Sequence, residues 1–414
     1  QNYETFDRMG DIYCLFYEKG MRLLKNGGHL VYITSNKWMR AGYGEKLRTF
    51  FLKYNPKILI DLGPGVFENA TVDTNIIVIQ KATNQNQLKA VTITEKGNAE
   101  FSASLENNGV ILNNLTGNGW FIGSDAEQWL KEKIEQIGKP LKQWDVQIYR
   151  GIVTGLNEAF IIDSNKREEI LRNCKNIDEQ RRTEAIIKPI LRGRDIKRYY
   201  YEWANLWIIT TFPALKIDIN DYPALKKYFL DNFDIKQLEQ SGKKYPELGF
   251  DARKKTGNKW FETQDQIAYY PEFEKEKIIY SEIVREPQFY YDKNNFYAEA
   301  TSFIMTGKFI KYICALLNSK PVSFFFKKYY AGGGLGEDGY RYKKAFLENL
   351  PIPYKISTNQ PISIQIEALV DKIISAKKQN PQIDTSELEQ EIDRLVYQLY
   401  GLTDEEIRIV EGQL

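Results

Sequence analysis

Residues 10–79 read GDIYCLFYEKGMRLLKNGGHLVYITSNKWMRAGYGEKLRTFFLKYNPKILIDLGPGVFENATVDTNIIVI, and their periodicity decides the fold. From Asp11 to Leu24, apolar residues fall at Ile12, Leu15, Phe16, Met21, Leu23 and Leu24, close to helical spacing. Asn26-Gly27-Gly28 ends that helix, because glycine accepts the left-handed backbone just past a last turn. His29–Thr34 is short and β-branched or aromatic, which predicts a buried strand. Glu45–Tyr54 returns to helical spacing. Lys57–Leu62 and Asn75–Gln80 are two further strands, separated only by the loop GPGVFENATVDT. Strands that close can pair antiparallel. Strand, helix, strand and hairpin together predict an α/β class, part of a Rossmann-like open sheet closed at one edge.

Working outward, residues 82–118 are rich in Asn, Gly and Thr, with short alternating runs at Ala90–Thr94 and Val110–Leu112. They predict an edge strand or two with a loop. Residues 125–137 form a short amphipathic helix, capped by Ser124 or Asp125. Gly138-Lys139-Pro140 breaks the pattern, so a domain boundary is placed there, giving 1–138 as a first unit. Residues 139–355 read as an α+β domain of many short strands, with a helix over 308–328 and a glycine-rich loop, AGGGLGEDGYRY. Residues 356–414 predict two antiparallel helices joined at Asn380-Pro381, with Gly401 as a C-cap and Thr403 opening a last short helix. The 414 residues suffice for two to three domains.

Charge separates these parts. Residues 1–138 hold 15 basic and 15 acidic side chains; residues 139–355 hold 37 and 29, net +8; residues 356–414 hold 5 and 11, net −6. A basic middle predicts a polyanionic partner, and an acidic tail predicts a solvated one. Three scattered cysteines, Cys14, Cys174 and Cys314, support neither a disulfide framework nor a zinc pattern. The single histidine, His29, opens a strand and makes no metal site alone. With no apolar run of membrane length and no signal peptide, the composition fits a cytoplasmic globular protein.

The late order DIY, GGHLVYITSNKWM, GYGEKLRTFF and VFENATVDTNIIVI resembles the later motifs of adenine-specific DNA methyltransferases of the TaqI-like group, which includes type IIG restriction-modification enzymes and phage-defence methyltransferases. The resemblance continues through WDVQIYRGIVTGLNEAFIID, IIKPILRGRDIKRYYYEW and KKAFLENLPIP, which are similar to that family's specificity domain. It implies S-adenosylmethionine as methyl donor and double-stranded DNA as partner. The family's cofactor glycine loop and its Asn-Pro-Pro-Tyr loop lie upstream of these motifs, and no NPPY or DPPY occurs here. The chain is therefore expected to be the downstream part of such an enzyme, inactive alone: the end of the catalytic domain (1–138), the target-recognition domain (139–355) and a helical tail (356–414). A stand-alone DNA-binding specificity subunit is the alternative, and the strand-helix unit before residue 80 argues against it.

The resemblance also assigns residues. Phe67 in VFENA matches the aromatic that stacks on an adenine swung out of the helix, where a ring face replaces lost base stacking. The same residue read without the family could equally fold onto the core. Phe16 matches a position beside the cofactor's adenine, although periodicity favours a plain apolar role. Asp11 either touches that site or caps the helix. Lys37 follows a strand at the carboxyl edge, where α/β sheets place their sites, and could meet phosphate; Trp38 is expected to pack.

For DNA contact the residues point to three stretches. Arg150, Thr154 and Asn157 flank a glycine-broken loop suited to base edges. Arg192 and Arg194, around Gly193, could fork onto phosphate or guanine, or form a surface ion-pair network with Asp195. Lys328, Tyr330, Arg341 and Lys343 interleave charge and aromatic rings around the glycine loop, as a DNA-tracking groove would. AGGGLGEDG is not a phosphate loop, since no GKS or GKT follows.

Overall fold

The computed structural model describes residues 3–63, 65–67, 72–93, 101–331, 339–356 and 359–413. The opening stretch folds as its periodicity indicates. Helix α1 spans Tyr13–Leu23, strand β1 His29–Ser35, helix α2 Glu45–Phe51, β2 Asn55–Gly63 and β3 Thr74–Gln80. β3 runs antiparallel to both neighbours and lies between them, so β2 and β3 form the expected hairpin-like pair. β4 (Leu88–Thr92) pairs parallel with β2, and β5 (Val110–Leu112) antiparallel with β4. The order of this five-stranded sheet is β1-β3-β2-β4-β5. Helix α3 (Phe101–Asn108), between β4 and β5, has no buried residue and no strong apolar stripe, which is why the sequence read there as loop.

Alternation then sends the side chains to two faces. Leu30, Leu59, Ile77 and Ile79 enter a core with Tyr17, Met21, Leu47 and Phe51 from α1 and α2. Trp38 is fully buried there, edge-on to Phe51 and Trp120, and so packs as expected. The opposite face carries Val31, Ile33, Ile58, Ile76 and Val78, in rows set by the register Val31↔Val78↔Ile58 and Ile33↔Ile76↔Ile60. Val31 is 58% exposed and Ile33 44%. None of those five belongs to a core cluster. Among the described residues β1 pairs only with β3, so its other edge is open.

Residues beyond 120 gather around other cores. Helix α4 (Asp125–Ile137) starts at Ser124 in a capping box with Glu127, as expected, but Leu130 and Ile134 pack with Leu316, Tyr329, Leu347 and the tail. The boundary read at Gly138 thus follows a helix that physically joins the second lobe. Gly138–Pro140 even pairs with Pro351–Pro353. The two strands of WDVQIYRGIVTGLNEAFIID do not pair with each other. Val146–Arg150 joins the sheet of Lys277–Ser281, Phe289–Asp292 and Ser302–Gly307, whereas Ile161–Asp163 joins Leu206–Ile209 and Ile187–Leu191. The cause is at Gly151, where any Cβ would meet the Glu299 carbonyl, and at Ile152, which bridges Glu299. That close approach turns the chain from one sheet to the next.

The single helix expected over 308–328 is broken in two, Ile310–Asn318 and Lys320–Phe325. Ser319 is extended and Pro321 sits in the first turn of the second helix, where a missing N–H costs nothing. Tail helices Gln360–Gln379 and Ser386–Leu399 pack together around Ile366, Val370, Ile392 and Val396, against the Ile310–Asn318 helix. Gly401 takes φ +58° and Thr403 caps the last helix with Glu406, as expected. No described helix is long and apolar enough to cross a membrane.

Candidate functional site

In the first lobe the carboxyl end of β1 is rigidly built. Arg48 on α2 is buried and donates to the carbonyls of Trp38, Ala41 (3.0 Å) and Gly117 (2.8 Å), pinning the segment after β1. Burial lowers this guanidinium to about 10, still charged at neutral pH. Gly44 lets the same segment close, since a Cβ there would strike the Trp38 backbone. Lys37 emerges from this frame into solvent. Asn36 turns inward, donating to Asp61 Oδ1 at 2.9 Å at the end of β2. Phe67 lies between β2 and β3 with 44% of its surface exposed, so it is not folded onto the core.

Phe16 also faces out, 55% exposed on α1, with Ile12 and Leu23 similarly exposed. Asp11 is exposed and does not cap: the helix opens at Ile12 without a side-chain hydrogen bond. An exposed ring and a free carboxylate are compatible with one wall of an adenosine-type site. No further wall is made by the described residues.

In the second lobe, six of the nine DNA candidates, drawn from three distant stretches of sequence, lie around one turn. That turn is Glu299–Ser302. Arg150 Nε donates to the Ala300 carbonyl at 3.2 Å. Asn157 Nδ2 reaches Glu299 Oε1 at 3.5 Å. The Gly193 N–H, between Arg192 and Arg194, points at Thr301 Oγ1 at 3.4 Å. Glu282 N–H donates to the Thr301 carbonyl, and the Glu282 carboxylate lies 3.7 Å from Arg341 and 3.5 Å from Lys343. Arg341 and Lys343 keep 43% and 45% of their side chains in solvent. Arg150, Asn157 and Arg194 are exposed as well. The surface is basic, with a few carboxylates that orient it.

Three candidates do not belong to that surface, and a fourth is constrained. Thr154 is buried; its hydroxyl donates to Asn157 Oδ1 at 2.6 Å and accepts the Leu156 N–H, a local cap and not a base reader. Tyr330 is buried in the core of the second lobe with its hydroxyl on Glu135 at 2.9 Å. Lys328 pairs with Glu127 at 2.5 Å and stands over the Phe121 ring. Tyr330 is interior and Lys328 is tied to Glu127 because the chain turns back on α4, which a local basic-aromatic pattern does not reveal. Arg192 forks onto Asp195 at 2.8 and 2.9 Å, the ion-pair alternative, and this hydrogen bonding raises its pKa.

Sequence reading missed the groups that hold the surface in shape. Glu299 and Glu282 are the acceptors and carboxylates of the turn. Behind it, buried Arg253 donates to the carbonyls of Thr154, Leu238, Trp260 and Glu262, with burial lowering it to about 10. A lone arginine in ARKKT carries no periodic signal of burial. The described residues hold no cluster of His, Cys, Asp and Glu suited to a metal.

Comparison with known proteins gives two separate family matches. Residues 1–67, which end on Phe67, match the Eco57I restriction-modification methylase family, and residues 188–352 match the TaqI-like C-terminal specificity domain. In these two stretches the chain is similar to a restriction-modification methylase and to a TaqI-like specificity domain. It is 25% identical over 447 residues to the Type II methyltransferase M.BstVI of Geobacillus stearothermophilus, covering 100% of this chain and 71% of that protein. It is 21% identical to M.PaeR7I of Pseudomonas aeruginosa, covering 99% and 68%. Its fold is similar to that of the Type IIL restriction-modification enzyme MmeI, solved with DNA, at a TM-score of 0.55 and 13% identity; 97% of this chain matches 51% of that one. The chain thus spans about seven-tenths of these curated relatives and half of the solved neighbour. The turn at Glu299–Ser302, Arg341 and Lys343 all fall inside the specificity match.

Proposed function

We propose that this chain is the target-reading part of an S-adenosylmethionine-dependent, adenine-specific DNA methyltransferase of a restriction-modification or phage-defence system. The observation that carries the reading is the convergence of Arg150, Asn157, Arg194, Arg341 and Lys343 on one turn of a matched specificity domain. Phosphate contacts from such side chains set affinity, and base-edge contacts set sequence. Phe67 would stack on the extruded adenine, and Phe16 and Asp11 would form one wall for the methyl donor. The donor supplies the methyl sulfonium; the protein's share is positioning an amine that is a weak nucleophile.

The open edge of β1 and the exposed Val31 and Ile33 beside it support a further reading. They fit a sheet completed by another part of the same polypeptide, bringing the cofactor glycine loop and the Asn-Pro-Pro-Tyr loop. The chain alone then binds DNA and transfers no methyl group. A gel-shift competition at two salt concentrations tests the first half. Binding should weaken steeply with salt, and Arg341→Ala with Lys343→Ala should lower the slope by roughly one to two counterions. Salt-independent binding, or none, overturns it. Methyl incorporation into duplex DNA by this chain alone overturns the second half.

A further inference from the structure

Arg40 stands where the two lobes meet. Its Nη1 donates to the Ala331 carbonyl at 3.2 Å, and its Nη2 lies 4.0 Å from Asp61 Oδ2. Asp61 is buried and accepts Asn36 Nδ2 at 2.9 Å and the Gly63 N–H at 3.2 Å on its other oxygen. Gly63, at φ +60°, opens the segment that carries Phe67. Asp73, which closes that segment, accepts the Asn36 N–H through its carbonyl. Its carboxyl is raised by burial and by Asp61, and Arg40 and Lys37 oppose that rise. One guanidinium therefore faces the carboxylates at both ends of the Phe67 segment.

The other partner of Arg40 belongs to the DNA-reading lobe. Ala331 is buried behind Tyr329 and Tyr330. After it the chain is next described at Gly339, whose φ of +102° sets it against the Val284 carbonyl. Tyr340 and Arg341 then pair with Val284 and Ile283, beside Glu282 and the basic surface. Tyr342, next to Arg341, stacks on the Phe326 ring at 4.2 Å, and the Phe326 carbonyl accepts the Ala331 N–H at 2.7 Å. A planar guanidinium holds a carbonyl and a carboxylate in fixed directions from two different nitrogens, whereas an ammonium on a flexible stem fixes neither direction.

We propose that Arg40 is a positioning residue that couples engagement of DNA by the specificity lobe to the placement of the Phe67 segment. This rests on the DNA-reading function proposed above. Contacts made beside Arg341 act on the backbone at Ala331, and Arg40 passes the constraint to Asp61 and so to Gly63. Coupling of this kind needs a physical chain of contacts, and here it runs from Tyr342 through the Phe326 ring and carbonyl to Ala331, Arg40 and Asp61.

The test is amide exchange across residues 61–67 with and without a mixed-sequence DNA duplex, for the wild-type chain, Arg40→Lys and Arg40→Gln. In the wild type, bound duplex should slow exchange at Gly63 roughly tenfold. Arg40→Lys keeps the charge beside Asp61 and Asp73, so its melting temperature and DNA affinity should stay near wild type while the slowing is lost. Arg40→Gln should lose it too. A variant that binds DNA and is slowed as strongly as wild type overturns the coupling and leaves the DNA reader standing. So does a wild type that binds DNA with no change at Gly63. Failure of every protein to bind DNA overturns both.

Discussion

The two lobes bury their sheets differently. In the second lobe, the sheet of Val146–Arg150, Lys277–Ser281, Phe289–Asp292 and Ser302–Gly307 is covered on both sides: Ile278, Tyr280, Phe289 and Met305 pack on the helices, and Ile279, Tyr290 and Ile304 on a second cluster. Even an ion pair, Lys277–Asp292 at 2.6 Å, is wholly enclosed. Among the described residues of the first lobe, β1 is covered on one face, and Val31 and Ile33 look outward. Both sheets carry aliphatic residues on both faces. The difference lies in what is available to pack on them. A strand apolar on both sides is written for two layers of cover, and the first lobe supplies one.

The comparison breaks most sharply on the covered face. Phe51 is fully buried against Tyr17, Trp38 and Trp120. Phe51→Ala should cost about 3–5 kcal/mol in a denaturant titration, through lost burial and the cavity left behind. A cost below that of an ordinary surface change would mean the lobe has no firm core without further cover.

A second prediction concerns the tail that covers the second lobe. Asp393 on the Ser386–Leu399 helix accepts the Lys320 N–H at 2.8 Å, and burial raises its pKa to about 6. Arg198 lowers it, while Glu389 and Glu411 raise it. The folded state then holds a proton that the unfolded state has lost between pH about 4 and about 6, so stability attributable to this group falls as pH rises through that window. The change is at most about 3 kcal/mol for a shift of this size. Asp393→Asn should flatten that part of the stability profile, read from urea midpoints at several pH values.

The smallest expected effect is on the uncovered face. Val31→Thr and Ile33→Thr should each change folding stability by less than about 0.5 kcal/mol, as surface substitutions do. Together they should reduce concentration-dependent light scattering, because an open apolar edge strand invites pairing. Unchanged scattering with a large loss of stability would show that the face is already covered.

Much of the first lobe was legible because its signals are local. Apolar spacing placed α1, β1, α2, β2 and β3 within a few residues, and short loop length made β2 and β3 antiparallel neighbours. Caps at Ser124, Gly401 and Thr403 were readable for the same reason: a capping side chain and its target are close in sequence. Even the break at Pro321 was written in the chain, though helical apolar spacing on both sides concealed it.

Burial of charge and ring was not legible. Lys328-Tyr329-Tyr330 and Arg192-Gly193-Arg194 look alike as basic stretches, yet the first is folded onto α4 and Glu127 while the second lies beside Thr301 at the surface. Amino-acid pattern specifies which faces are apolar and how strands and helices are spaced, since those depend on neighbours a few positions away. Which charged side chains meet solvent, which turn gathers Arg150, Asn157 and Arg341, and which face of a sheet stays open depend on segments far apart in the chain, and only packing in three dimensions brings those together.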